Sequence, residues 1–234
     1  MNSGTDAIKL SLKAHGIKEG DEVITAANTF IATANAIMNA GGFPVFADCD
    51  EDMCLDYEDA LEKITSLTTA ICHVHIGGLV SDAALMLAKY CDDHGLFFVE
   101  DAAQAHGSTN KGKKAGTLGI AAGFSFYSTK VITTGEGGMV TTNDKDLVNK
   151  LLEKITKFIC LHIDKQIEAG ADTIQIFDSW AGLLPKNKLP DYCYIPTNKI
   201  VNYVKSLNDI FFNDLEIRKP DYFLGIKGSS FGDQ

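Results

Sequence analysis

Apolar positions in the first half of the chain switch between a spacing of three to four residues and short continuous runs. That is the signature of helices alternating with buried strands. Ile8, Leu12 and Ala14 share a helical face behind Ser3, a helix-capping residue type, and Gly16 ends the stretch. Glu22 to Ala26 reads as a short strand after the Glu19-Gly20-Asp21 turn, and Thr29 to Ala40 as a helix closed by Gly41-Gly42. Phe43 to Asp48 predicts a strand, Tyr57 to Ile64 a helix, Thr69 to Ile76 a strand, and Asp82 to His94 a helix ended by Gly95. The apolar run after Gly95 is a buried strand that ends in Glu100 and Asp101, and the run from Phe124 carries Lys130 to the end of another. A glycine-rich turn follows, then a short strand from Met139 to Thr142. This rhythm predicts an α/β fold, with a mostly parallel sheet flanked by helices and right-handed crossovers.

Further on, Leu147, Val148, Leu151, Leu152, Ile155, Phe158, Ile159 and Leu161 keep a broad helical stripe, so Lys145 to Lys165 reads as one helix. A helix–strand–helix reading also fits, with Lys154 to Ala169, Thr173 to Phe177, and Lys199 to Leu207. The tail from Gly225 to Gln234 has no apolar period and is expected to fray. The 234 residues, 45% hydrophobic and 22% charged, suit one globular domain or two small ones. Thirty-one acids against 21 bases argue against nucleic acid or an anionic membrane as partner. No apolar run approaches the roughly 18 residues of a membrane span, and a polar N-terminus argues against a signal peptide. Six dispersed cysteines without a C-x-x-C pair suggest reduced thiols in a cytoplasmic protein and no structural metal.

Three stretches carry candidate chemistry. A lysine among apolar neighbours gives up its proton more easily, and a neutral amine condenses with aldehydes; Lys130 is so placed, although a surface lysine beside a hairpin would look the same. Asp101 follows a buried strand, where open α/β sheets hold ligands, and an acid there can keep a heterocyclic nitrogen protonated; it could equally cap a helix. Ser3-Gly4-Thr5 opens a helix whose free N–H groups favour an anion, or serves as an ordinary cap. His73 and His75 share one face of a strand, without the further ligands a metal site needs.

Asp101 and Lys130 in these contexts, with Ser3-Gly4-Thr5-Asp6-Ala7 and Ala27-Asn28-Thr29-Phe30-Ile31-Ala32-Thr33-Ala34, closely resemble the DegT/DnrJ/EryC1/StrS family over about residues 2 to 149. The resemblance implies the large domain, in part, of a fold-type-I enzyme dependent on pyridoxal 5'-phosphate (PLP). It implies transfer of an amino group from an amino acid, commonly glutamate, to a nucleotide-linked keto sugar. Lys130 would anchor PLP and act as general base and acid, and Asp101 would sustain the ring's electron sink. Gly4, Thr5 and Ser125 would take the phosphate, Phe30 would stack on the ring unless it is a core residue, and Gln104 would bond the ring hydroxyl. His75, in a similar V-H-x-x-G stretch, would line the pocket, and His106 would be a bystander. Relatives with histidine in place of the lysine catalyse dehydration, so Lys130 favours transamination. The resemblance further implies a homodimer. Family members begin before the S-G-T motif and continue beyond position 149 with a small domain and a partner-reaching Asn-Tyr-Arg stretch, for which no counterpart is found here.

Residues 151 to 206 resemble the uroporphyrinogen decarboxylases instead. Gln166 to Gly182 is similar to one helix–strand unit of their TIM barrel, with Asp178 and Ser179 at the strand's carboxyl end. Residues 210 to 234 weakly resemble UDP-N-acetylglucosamine 2-epimerases. The chain therefore reads as three pieces, 1–149, 150–206 and a short tail, 207–234. Besides the aminotransferase, a non-catalytic chimeric fragment and a decarboxylase remnant remain open.

Overall fold

A computed structural model of the chain describes residues 1–171, 174–176, 185–207 and 224–226. Asp178, Ser179 and most of the epimerase-like stretch lie outside the described residues. The chain divides into two compact units, Met1–Val148 and Asn149–Gln234.

In the first unit the elements follow in the order α1 (Gly4–His15), β1 (Glu22–Ala26), α2 (Ile31–Ala40), β2 (Phe43–Ala47), α3 (Tyr57–Glu62), β3 (Thr68–Val74), α4 (Asp82–His94) and β4 (Phe97–Asp101). A two-residue hairpin, β5 (Thr109–Asn110) with β6 (Lys113–Lys114), precedes β7 (Ala121–Ser125) and β8 (Gly138–Thr141). Ser3, Asp56 and Ser81 cap α1, α3 and α4, each side-chain oxygen accepting an N–H three residues on. Gly16, Gly41 and Gly95 close α1, α2 and α4 in the left-handed conformation that costs glycine least.

The main sheet runs β2-β1-β3-β4-β7-β8, parallel except for the antiparallel pair β7–β8. Successive side chains leave a strand on opposite faces, so two cores form. Val23, Ala70, Cys72 and Val99 meet Ile8 and Leu12 of α1 and Ala36 and Ile37 of α2. Ile24, Ile71 and Phe98 meet Leu55, Ala60 of α3 and Leu87 and Cys91 of α4 on the other side. The winding reverses between β1 and β3, and in such sheets a crevice opens at the carboxyl ends of the strands beside that reversal.

In the first unit the expected elements all form, with shifted ends. Helix α2 begins at Ile31 rather than Thr29, because Phe30 takes an extended backbone with φ −63° and ψ 138°. Strand β7 stops at Ser125, so Lys130 is not at a strand end. It lies in the loop to β8, its N–H bonded to the Tyr127 carbonyl at 2.9 Å. Phe126 pins that loop, donating to Gly137 O at 2.9 Å and accepting from Thr134 N at 3.0 Å.

Helix α5 (Lys145–Glu168) begins in the first unit and runs into the second, one helix across the junction. In the second unit, Cys160 and Ile163 pack on Ile200 and Val204 of α6 (Ile195–Ser206), and the Tyr203 hydroxyl donates to Asp164 at 2.5 Å. Strand β9 (Ile174–Ile176) pairs antiparallel with β10 (Leu224–Ile226). A barrel strand has parallel neighbours, so the helix–strand unit expected from the decarboxylase likeness sits here in a different sheet context.

Candidate functional site

The carboxyl ends of β1, β3, β4 and β7 and the N-terminus of α1 surround a cavity of about 510 Å³. Gly4, Thr5, Phe30, Asp101, Gln104, Ser125 and Lys130 all line it, as does His75. Seven positions spread over 127 residues of sequence, from Gly4 to Lys130, thus come to one place. His106 does not line it; its ring packs on Phe124 and Phe126, at 5.2 and 5.4 Å, and burial lowers its pKa.

Helix α1 reaches the cavity by close packing. A Cβ on Gly4 would stand 2.7 Å from Ser125 Cβ, and one on Gly138 would stand 2.1 Å from Ser3 O. Reciprocal backbone bonds, Met1 N to Gly138 O at 2.9 Å and Gly138 N to Met1 O at 2.8 Å, hold the chain start on β8. Ser3 Oγ takes the N–H of Asp6 at 3.1 Å and Ser3 O that of Ala7. The N–H groups of Gly4 and Thr5 are then those a helix start leaves for an outside acceptor. Asp6, an acid in the same turn, is ion-paired with Lys9, which keeps its pKa low against the opposing effect of burial.

Asp101 is 6% exposed. Its Oδ2 accepts from Thr33 Oγ1 at 2.6 Å and its Oδ1 from Ala103 N at 3.1 Å. Burial raises its pKa, with the Thr33 and Ala103 bonds and the charge of Lys130 opposing. A buried carboxylate of this kind favours a cationic partner. Lys130 is half-buried across the cavity. Gln104 accepts the Gly77 N–H at 2.9 Å on its Oε1, which turns its amide N–H₂ to other acceptors. Phe30 is 71% exposed and lines the cavity, so it is not a core residue.

Glu100 points away from Asp101, to the opposite face of the sheet. It is fully buried and accepts from Gly116 N at 2.7 Å, Leu118 N at 2.8 Å and Gly119 N at 3.0 Å. His75 Nε2, also buried, completes this cage at 3.0 Å. The ring of His73 meets that of His75 edge-on at 5.2 Å, and burial with its histidine neighbour lowers the His73 pKa to about 3.

A sequence model of the DegT/DnrJ/EryC1/StrS aminotransferase family matches residues 1–165. The chain belongs to this family. Among similar proteins of the family, Bacillus subtilis spore coat polysaccharide biosynthesis protein SpsC is 47% identical over 152 residues, covering 64% of this chain and 39% of its own length. GDP-perosamine synthase of Caulobacter vibrioides is 47% identical over 151 residues, 64% of this chain and 40% of that one. NtdA of Bacillus subtilis, solved with bound cofactor PMP, is 36% identical with a TM-score of 0.60, over 65% of this chain and 34% of its own. The chain thus spans about two fifths of the length of the curated relatives it matches. A uroporphyrinogen decarboxylase model matches residues 129–218, overlapping the end of the aminotransferase match.

The cavity's donor set fits a pyridoxal phosphate. It has a helix start that glycine lets approach Ser125, a buried acid in want of a cation, a lysine amine and an aromatic ring. Thr29, Tyr127, Thr129 and Glu136 also line it and were not expected from the sequence. Nor was Thr33, a hydroxyl on the apolar face of α2, whose one signal was a polar residue at a core-facing position.

Proposed function

We propose that the chain carries the cofactor site of a PLP-dependent aminotransferase, which moves an amino group from an amino acid, glutamate by preference, to a nucleotide-linked keto sugar. The observation that carries this is the meeting of Lys130, Asp101 and the α1 N-terminus in one cavity. Bound PLP supplies an aldehyde for the amine and an electron sink for the carbanion next to nitrogen. Lys130 would anchor it, and its free amine would take and return the proton at the reacting carbon. Asp101, ionised, would hold the ring nitrogen protonated. The amides of Gly4 and Thr5 and the Ser125 hydroxyl would hold the phosphate. Phe30 would pack on the ring, and the Gln104 amide would donate to the ring hydroxyl. His75 walls the pocket, fixed by Glu100.

GDP-perosamine synthase and a dTDP-amino-sugar transaminase among the relatives support the sugar substrate. Residues 1–149 carry the chemistry; 150–206 and 207–234 are appended pieces. Phe30, which lines the cavity, and its chain neighbour Ile31, with Val131 and Ile132 next after the cavity-lining Lys130, are exposed apolar residues that support a homodimer in which a second subunit covers them. A nucleotide-sugar substrate and six cysteines that form no disulfide support a cytoplasmic activity.

The test is an absorbance titration with PLP. The chain gains a near-UV or visible band that survives dialysis and is fixed by borohydride, and Lys130→Ala lacks it. Identical spectra would reject the reading and favour a non-catalytic fragment.

A further inference from the structure

Asp101 has a second side chain behind it. Thr33 Oγ1 stands 2.6 Å from Asp101 Oδ2, and Thr29 Oγ1 stands 2.7 Å from Thr33 Oγ1. A hydroxyl has one proton to give. The carboxylate can only accept, so the Thr33 proton goes to Asp101. The Thr29 proton must then go to Thr33, since its other acceptor, Phe30 O, is at 3.3 Å. The chain of donation runs from the cavity wall at Thr29, through a buried hydroxyl, to the acid. Thr33 is fully buried on a helix face otherwise made of Ala34, Ala36, Ile37 and Ala40. A hydroxyl buried there costs stability unless bonded, and the branched Thr side chain holds few rotamers. The bond therefore fixes Oδ2, while Ala103 N fixes Oδ1.

We propose that Thr33, braced by Thr29, is a positioning residue for Asp101: the two hydroxyls keep the carboxylate ionised and oriented at the cavity. The proposal deepens the aminotransferase reading, since an ionised Asp101 is what a protonated ring nitrogen needs. The other groups facing Asp101 are Lys130 from the β7–β8 loop and His75 and Cys72 from β3 and its end. Lys130 and His75 favour the ionised form. The Cys72 thiol is held neutral by burial and by Asp101 itself. Helix α2 adds only the threonine hydroxyl.

The test reads Asp101 directly in the cofactor-free full chain, by carbon-13 NMR of labelled aspartate carboxyls, with Asp101→Asn identifying the signal. Thr33→Val keeps the shape and removes the donor; it raises the Asp101 midpoint by about one pH unit, the worth of a hydrogen bond to a charged group. Thr33→Ser restores the wild-type midpoint, and Thr29→Val gives a smaller rise. PLP affinity follows the same order, with the Thr33→Val deficit largest at acidic pH and shrinking as pH rises. An unchanged midpoint in Thr33→Val, or a rise that Thr33→Ser does not reverse, overturns the proposal. Should Thr33→Val fail to fold, Thr29→Val decides by the same criterion. A chain that titrates as expected yet binds no PLP would reject the aminotransferase reading and leave the hydroxyl relay standing.

Discussion

His73 shows at the scale of one residue what burial does without a charged partner. Its pKa is lowered to about 3 from the ordinary 6.5. The folded state therefore refuses a proton that the unfolded chain accepts below about pH 6.5. Stability is complete above that pH and falls as pH drops from there toward 3. The expected outcome is a melting temperature that declines with acid through this window, and a flatter profile in His73→Leu, read by scanning calorimetry across pH. Sequence made Lys130, Asp101 and Gln104 legible because their neighbours form ordered motifs. It left Thr33 and Glu100 obscure. A threonine in an apolar helix and an acid beside another acid acquire meaning only from partners 68 and 16 residues away in the chain.

Elements were legible where period and caps agree, as in α1 and α4, and less so where side chains outside the element set the boundary. Strand β7 was expected to run on toward Lys130, because Phe126 and Tyr127 continue the apolar pattern. In the fold the Phe126 backbone instead bonds across the loop to Thr134 and Gly137, and the chain leaves the sheet. The glycines on the other side of that loop matter for the same reason. Gly138→Ala would place a methyl against Ser3 O and the Gly4 N–H. It should cost about 1–3 kcal/mol, as overpacking does, and weaken PLP binding by moving the α1 start away from Ser125. Urea unfolding and a PLP titration of the same variant measure the two effects.

At the scale of the whole molecule, sequence pattern predicted the layered α/β architecture, but not the order of strands, which depends on pairings between distant segments. Nor could it show that β2 would be an edge with Phe43 66% and Phe46 48% exposed. Edge strands with exposed apolar side chains invite association. Sedimentation velocity should show concentration-dependent self-association that Phe43→Lys with Phe46→Lys reduces. The same architecture sets an order of events during synthesis. Met1 is bonded to Gly138, 137 residues away, and Gly4 rests on Ser125. The first and nearly the last parts of the unit to leave the ribosome thus form the two sides of the cavity. Contacts of such sequence separation form late. A nascent chain can assemble β1 to β4 and still have no anion cradle, and Lys130 meets Asp101 only after the β7–β8 hairpin emerges. On the proposed reading, cofactor capture would report completed folding, with no half-built site to trap a reactive aldehyde on the way.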